Sequence, residues 1–197
     1  PLTDDFNGQN QEGFSRYEHT IEDGRRCSSA SAYLHPVLNR KNLFTMTDLT
    51  VDKILVEGNK AVGVNTRQGN ASRLITARRE VILSTGAINS PQILLRSGIG
   101  PSEDLRALGI DVVQDLPGVG KNLQDHLMFR PVYKVKNLKS LNSKINSLIG
   151  NFFIGLEYIF KQSGPMTMGA SQVCGFVKSD PSRATPNLPV SYTHLRA

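Results

Sequence analysis

The centre of the chain contains a strand-to-helix transition, and this feature restricts the fold more than any other. Residues 80–84 carry the short apolar run Val81-Ile82-Leu83, which is typical of a strand buried on both faces. Thr85-Gly86-Ala87 predicts a turn after it, and Ser90-Pro91 predicts the N-cap and first residue of a helix that ends at Ser97-Gly98. A strand, a glycine turn and a helix in this order indicate an α/β protein.

The turn at Ser84-Thr85-Gly86 could also bind a ligand. Free backbone N–H groups and the positive end of a helix suit a phosphate or another anion. Such turns are common in α/β proteins, however, so a purely structural role explains this one at least as well. The later Gly98-Ile99-Gly100 follows a helix and lacks the third glycine of a dinucleotide-binding motif, which favours a helix end.

The rest of the chain predicts short elements joined by tight turns. We expect helices at residues 28–38, 101–109 and 145–160, and strands at residues 43–46, 49–56, 61–66, 74–76 and 110–113. Turns are predicted at residues 57–60, 68–70 and 116–120, where glycine and asparagine tolerate positive φ. Residues 164–178 should form a loop that leads into a strand.

The helix expected at residues 145–160 is amphipathic, with apolar side chains three and four residues apart. Packing on a protein core is the favoured interpretation, and binding to a membrane surface is the alternative. The chain has no run of about 20 apolar residues, so we predict no membrane-spanning helix. Its first residues, Pro1-Leu2-Thr3, include no initiator methionine or signal-peptide pattern, which suggests an internal piece of a longer protein.

Charge and cysteine content argue against several classes of protein. The net charge is +6, but the basic residues are scattered, so we expect a solvated surface and no nucleic-acid partner. Cys27 and Cys174 are too few for a disulfide-built domain, and neither lies in a Cys-x-x-Cys motif. The histidines show no metal-ligand spacing, so no metal is expected. Asp125-His126 is more typical of a structural pair than of an acid–base pair.

Several motifs, taken together and in order, resemble the glucose–methanol–choline oxidoreductases, a family of FAD-dependent enzymes. Residues 86–100, Gly-Ala-Ile-Asn-Ser-Pro-Gln-Ile-Leu-Leu-Arg-Ser-Gly-Ile-Gly, match the second signature of that family at every constrained position. The accompanying motifs are Gly24-Arg25-Arg26, Tyr33-Leu34-His35-Pro36, Arg40-Lys41-Asn42-Leu43, Ala61-Val62-Gly63-Val64 and the run from Leu116 to His126. The resemblance covers residues 1–190 and is strongest to the choline and alcohol dehydrogenases of the family.

The resemblance implies a fold of the α/β (α+β) class. It contains part of a Rossmann-like FAD-binding domain and part of a substrate domain built on an antiparallel sheet. Residues 25–130 would belong to the FAD domain, residues 1–24 to a substrate-side cap, and residues 131–190 to the start of the substrate domain. Residues 191–197 do not fit the family and resemble a non-native tail.

The resemblance also implies where FAD would lie. The backbone near Val51 corresponds to the position that meets the adenine end of the cofactor. The turn formed by Ser84, Thr85 and Gly86 corresponds to the one beside the dinucleotide, which agrees with the physical argument for an anion at that turn.

The implied reaction is oxidation of a primary alcohol to an aldehyde by hydride transfer to flavin. The glycine-rich pyrophosphate fingerprint of the family and its catalytic histidine, with a His or Asn partner, are both absent from these residues, and His126 is not that histidine. We therefore expect this chain alone to be inactive and to hold FAD weakly; stoichiometric flavin absorbance in the purified chain would contradict this. A hydroxynitrile lyase on the same fold and an inert binding fragment are the alternatives from other classes.

Gln172 bears on the substrate, since choline enzymes of the family carry a glutamate at the corresponding position. An amide there provides no charge to attract a quaternary ammonium group, and Met128 likewise replaces a glutamate. A neutral alcohol is therefore favoured, with choline as the alternative. The resemblance leaves the electron acceptor open between a quinone and oxygen, and it favours a cytoplasmic or mitochondrial location.

Overall fold

The computed structural model describes residues 2–133, 136–137, 141–169 and 171–192. These residues separate into two compact units. The central unit comprises residues 44–129, and the split unit is formed by the described parts of residues 1–43 and 130–197. The fold combines helices with mainly antiparallel sheets, which confirms the expected mixed class.

The strands are β1 (Gly13–Arg16), β2 (Ile21–Glu22), β3 (Arg25–Arg26), β4 (Thr50–Glu57), β5 (Lys60–Gln68), β6 (Ala71–Thr76), β7 (Ile99–Gly100), β8 (Gln114–Asp115), β9 (Val173–Val177) and β10 (Leu188–Tyr192). The α-helices are α1 (Gly86–Arg96), α2 (Ser102–Ala107), α3 (Leu141–Ile145) and α4 (Leu148–Lys161). Shorter helical turns cover Ala30–Leu34, His35–Val37 and Pro165–Thr167, so the helix expected at residues 28–38 is present as two short pieces.

The main sheet of the central unit is an antiparallel meander in the order β4-β5-β6. Both of its predicted turns are confirmed, and Gly58 and Gly69 adopt φ of +57° in them, a conformation that glycine tolerates without strain. Thr66 in the middle strand is almost fully buried, and its hydroxyl donates to the Arg73 carbonyl at 2.9 Å. Local pairing and short turns are therefore sufficient to build this sheet.

Helix α1 is attached to β4 through a buried serine. The Ser97 hydroxyl donates to the Ile93 carbonyl at 2.6 Å and accepts from the Ile54 N–H at 2.8 Å. Ile93 and Ile54 are buried at the same place, and Leu105 of α2 is fully buried. The core of the central unit thus lies between the C-terminal half of α1, β4 and α2.

Two expectations at the strand-to-helix transition are wrong. Residues 80–84 are not a strand, and Ile82 is 78% exposed, because no strand in the described parts of the chain pairs with this segment. Helix α1 begins at Gly86 and contains Pro91 in its interior, so Ser90 is not its N-cap. Instead, the Ser90 hydroxyl folds back and accepts from the Thr85 N–H at 3.2 Å, which satisfies a donor at the helix start.

Two further strand predictions are also wrong. Residues 43–46 have no regular structure, and residues 110–113 are irregular, with the strand displaced to Gln114–Asp115. The reason for the displacement is the partner: Val113 N–H and Gln114 N–H both donate to the Gly98 carbonyl, so the ladder with β7 starts only there. Helix α2 and the turn that ends at Gly120 agree with prediction.

The split unit is organised by a three-stranded antiparallel sheet in the order β1-β9-β10. Phe14 of β1 and Val190 of β10 both lie opposite Gly175 of β9. Beside this sheet, buried Phe6 packs edge-on against Tyr17, with ring centroids 6.0 Å apart, and against Phe176 at 5.7 Å. The loop and strand predicted at residues 164–178 are confirmed by Pro165–Thr167 and β9.

Helix α4 confirms the predicted amphipathic helix, with bounds shifted by a few residues. Ser147 caps its start by accepting from the Gly150 N–H at 3.3 Å, and Gln162 ends it in a left-handed conformation. Among the described residues none of its side chains is buried, and Leu148 is 90% exposed, so the packing of this helix on a core stays a prediction. None of the described helices is both long and apolar enough to span a bilayer.

The assignment of residues 1–24, 25–130 and 131–190 to cofactor and substrate domains stays a prediction. The observed units change at Leu43 and again at Phe129. Of the proposed tail, Ser191 and Tyr192 lie in β10, and residues 193–197 lie outside the described residues.

Candidate cofactor and substrate sites

The turn at Ser84-Thr85-Gly86 lies directly before helix α1, and its three residues are exposed. Gly86 has φ of +89°, which L side chains rarely adopt, and a Cβ added there would meet no atom within 4 Å. The glycine is therefore required by backbone conformation, and the space beside it is open.

The first turn of α1 offers hydrogen-bond donors toward this space. The Thr85 N–H is already bound to Ser90, but the N–H groups of Gly86, Ala87 and Ile88 have no acceptor inside the helix. The helix adds the positive end of its dipole, and no acidic residue lies in its first turn. The turn therefore fits an anionic or strongly accepting part of a ligand, such as a segment of a dinucleotide.

Val51 lies near the start of β4, which is an edge strand of the meander. The ladder register shifts from Val51 opposite Thr66 to Lys53 opposite Asn65, so Asp52 forms a β-bulge. Bulges are common beside binding sites because they redirect side chains and free backbone groups. An edge strand with a bulge can present backbone to the edge of a flat ring, which fits the predicted adenine contact at Val51.

The bulge also positions a charged group. The Asp52 carboxylate accepts from Arg96 at 3.0 Å and from the Arg67 Nε at 3.4 Å. This ion pair and the Ser97 hydrogen bonds join β4 to the C-terminal end of α1. No hydrogen bond or ion pair between described residues joins Val51 directly to Ser84, Thr85 or Gly86, which lie at the opposite, N-terminal end of that helix. The two predicted contacts would thus meet different parts of one extended ligand.

Gln172, the predicted substrate residue, is half-buried in the split unit. Its backbone carbonyl accepts from the Tyr17 N–H at 3.0 Å, and its side-chain amide donates to the Met168 thioether at 3.6 Å. Gln172 therefore joins the segment before β9 to the segment after β1.

Met168 also lines a cavity of about 290 Å³, called here the His19 cavity. Its wall is formed by the residues that follow Tyr17 and by the loop before Gln172, including His19, Ile21, Arg26, Met166, Met168 and Gly169. The imidazole of His19 lies against the Tyr17 ring at 5.9 Å. A Cβ at Gly169 would overlap the His19 ring, so only glycine permits this close approach.

Sequence reasoning missed this cavity. His19 and Met168 are far apart in the chain, and no spacing rule connects them. Ser97 was read only as a helix end, yet it is the buried link between α1 and β4.

The surroundings of Tyr17 and of the Asp125-His126 pair argue against a role for these residues in acid–base catalysis. The hydrogen bond with the Cys174 thiol, together with partial burial, raises the pKa of Tyr17 above its usual value, so this phenol stays neutral at physiological pH. Asp125 accepts from the backbone N–H of His126 at 2.7 Å, which supports the structural interpretation of that pair. Within the described ranges, no cluster of three or more His, Cys, Asp or Glu residues could hold a metal ion.

Comparison with known families gives a match over residues 1–128 to the model of GMC oxidoreductase. The chain belongs to the GMC oxidoreductase family. This confirms the resemblance based on residues 86–100 and the surrounding motifs. GMC oxidoreductases are FAD-dependent flavoproteins, so the expected cofactor is confirmed at the level of the family.

Curated relatives lie within the same family. Mitochondrial choline dehydrogenase of Homo sapiens is 45% identical over 188 residues, covering 95% of this chain and 32% of that protein. Alcohol dehydrogenase [acceptor] of Pseudomonas putida is 44% identical over 197 residues, covering 98% of this chain and 36% of that protein. The chain thus spans about a third of the length of these relatives.

Solved structures give the same result for the fold. An FAD-dependent oxidoreductase from Chaetomium thermophilum superimposes with a TM-score of 0.74 at 28% identity, covering 87% of this chain and 31% of that one. Pyridoxine 4-oxidase from Mesorbium loti gives a TM-score of 0.68 at 26% identity, covering 94% of this chain and 32% of that one. These matches favour an oxidoreductase over the lyase and inert-fragment alternatives.

Proposed function

We propose that this GMC chain is part of an FAD-dependent enzyme that oxidises a primary alcohol to an aldehyde. The observation that carries the proposal is the position of the family signature in the structure. Its first residue, Gly86, opens α1 with a positive φ and leaves the helix donors facing open space. This geometry suits the anionic part of a dinucleotide.

FAD, when bound, accepts a hydride from the carbinol carbon while a base takes the hydroxyl proton, so that the alcohol loses two electrons and two hydrogens. The residues of this chain would bind and orient. The free N–H groups at the start of α1, beside the Ser84-Thr85-Gly86 turn, would hold the dinucleotide, and the β4 edge at Val51 would fix its adenine end. We assign the base to no residue of this chain, because none of its described histidines lies in either predicted cofactor segment.

The substrate class follows from Gln172. An uncharged amide bound to a thioether offers no attraction for a cation, which supports a neutral primary alcohol. Choline is the second candidate, because choline dehydrogenases are among the relatives at 42–45% identity.

The electron acceptor and compartment are also part of the proposal. Relatives include enzymes named oxygen-dependent choline dehydrogenase, which supports oxygen as the acceptor, and alcohol dehydrogenase [acceptor], whose name leaves the acceptor open; a quinone is the alternative. The human relative named mitochondrial supports a mitochondrial location, and a cytoplasmic location is the alternative.

The test uses the intact protein that contains this chain, purified with FAD under anaerobic conditions. Adding a primary alcohol should bleach the oxidised flavin absorbance and produce one aldehyde per flavin. Full retention of the oxidised spectrum with a panel of primary alcohols, choline included, would reject the proposal.

The cofactor site has its own test in the variant Gly86→Ala. A side chain at φ of +89° costs about 1–2 kcal/mol, so FAD affinity should fall about tenfold if the α1 turn holds the cofactor. Gly118→Ala is the matched control, since a Cβ there meets nothing within 4 Å and its φ is ordinary. Equal FAD dissociation constants for the two variants, measured by fluorescence titration, would exclude the turn from the site.

A further inference from the structure

The His19 cavity joins two segments that are distant in the chain. Ile21 and Arg26 are cross-strand partners of β2 and β3, and both line the cavity. The opposite wall comes from Met166, Met168 and Gly169, and Met168 accepts the hydrogen bond of Gln172. The predicted substrate residue Gln172 does not itself line the cavity, but it is hydrogen-bonded to Met168 of the cavity wall.

The lining has a distinct chemical character. Thioethers of Met166 and Met168 and the side chain of Ile21 supply soft apolar surface. His19 and Arg26 supply donors, and neither side chain hydrogen-bonds to another described residue. No acidic side chain lines the cavity among the residues that the structure describes. The nearby Glu22 carboxylate is directed to the Cys27 thiol at 3.5 Å and does not reach the lining.

From this lining we propose that the His19 cavity receives the non-reacting end of the alcohol substrate and selects an uncharged group over a quaternary ammonium group. The inference rests on the proposed function and specifies the substrate class for it. Arg26 is its specificity-determining residue, and Gln172, through Met168, is a positioning residue.

Size and charge support this assignment. A volume of about 290 Å³ lies near the lower end of small-molecule sites, about 300–1,000 Å³, which suits a compact alkyl or aryl group. A quaternary ammonium would lose water beside the Arg26 guanidinium without gaining a carboxylate partner. An apolar group of equal shape has no such hydration to lose, so the site discriminates between the two groups by excluding the cation.

The experiment compares choline with 3,3-dimethylbutan-1-ol, an uncharged molecule of the same shape in which carbon replaces nitrogen. In the intact FAD-loaded enzyme, kcat/KM should be higher for the uncharged alcohol. Arg26→Glu should lower the ratio of kcat/KM for the uncharged alcohol to kcat/KM for choline about tenfold. The variant replaces a positive charge, which repels choline, with a negative charge, which attracts it, in a partly exposed site. Gln172→Glu should change the ratio in the same direction.

Arg16→Glu is the matched control. It makes the same change of net charge within the split unit, on the exposed end of β1, and Arg16 does not line the cavity. The ratio should stay within about twofold of the wild-type value, because an exposed charge outside the site is screened. Equal shifts from Arg16→Glu and Arg26→Glu, or a wild-type preference for choline, would overturn the proposal.

A second measurement does not depend on turnover. In the intact protein labelled at methionine methyl groups, 3,3-dimethylbutan-1-ol should shift the NMR signals of Met166 and Met168, assigned with Met→Leu variants, and choline should not. Unshifted signals would overturn the cavity assignment even if alcohols reduce the flavin. Shifted signals without flavin reduction would support the cavity and reject the proposed oxidation, so the two failures are distinguishable.

Discussion

The two units of the molecule are built in opposite ways. The central unit is one continuous stretch in which β4, β5 and β6 pair across tight turns and α1 packs back on β4. The split unit depends on pairing between distant segments, since Phe14 lies opposite Gly175. The candidate cofactor residues lie on the locally folded unit, and the candidate substrate cavity exists only where distant segments meet. Local contacts thus build the unit that carries the candidate cofactor residues, whereas long-range pairing builds the unit that carries the candidate substrate cavity.

Among the variants that test this comparison, those that truncate a buried side chain should change the unfolding free energy most. Leu105 is fully buried in the central unit and Phe6 is buried in the split unit. Leu105→Ala should cost about 2–5 kcal/mol and Phe6→Ala about 3–5 kcal/mol of unfolding free energy, from lost burial and the cavity left behind. Urea denaturation followed by hydrogen exchange measures both the size and the location of each effect.

The controls are exposed leucines, one in each unit. Leu108, 74% exposed, matches Leu105, and Leu38, 45% exposed, provides an apolar truncation in the split unit. Both alanine variants should stay within about 0.5 kcal/mol of the wild type. If Phe6→Ala reduces protection in β5 as much as in β9, the division into locally and distantly assembled units is wrong.

The Ser97 link should have an intermediate effect. Ser97→Ala leaves the buried Ile54 N–H and Ile93 carbonyl without their side-chain partner, which should destabilise the central unit by about 1–3 kcal/mol. Ser72→Ala, which removes an exposed hydroxyl bonded to Asn65, should cost much less in thermal unfolding. Equal melting temperatures for the two variants would show that the buried hydroxyl does not hold α1 on β4.

The smallest effect should come from the two glycines of α4. Gly155→Ala meets no atom within 4 Å and should stabilise the helix by up to about 1 kcal/mol, because alanine loses less backbone entropy. Gly150→Ala should destabilise, since its Cβ would overlap the Lys144 carbonyl. Thermal unfolding of both variants measures the difference, and a destabilising Gly155→Ala would mean that α4 is packed more closely than described.

Much of the central unit was predictable from sequence because its structure is local. The hairpin turns at Gly58 and Gly69 and the stop of α2 at Gly109 depend on glycine conformations that a few neighbouring residues specify. The strand expected at residues 80–84 is absent because strand formation is not local: an apolar run becomes a strand only when a neighbouring strand pairs with it. Ser90 was misread because an N-cap and a side chain folded back on Thr85 look alike in sequence.

The family, the FAD chemistry that goes with it and the turn at Gly86 could be predicted from sequence alone, because they depend on motifs whose residues are adjacent in the chain. By contrast, it is the folded structure that brings His19, Arg26 and Met168 into one cavity, with Gln172 hydrogen-bonded to Met168, and that joins α1 to β4 through Ser97. Antiparallel pairing between β1 and β9 brings residues from opposite parts of the chain together, and no local periodicity encodes which distant strand a strand will meet.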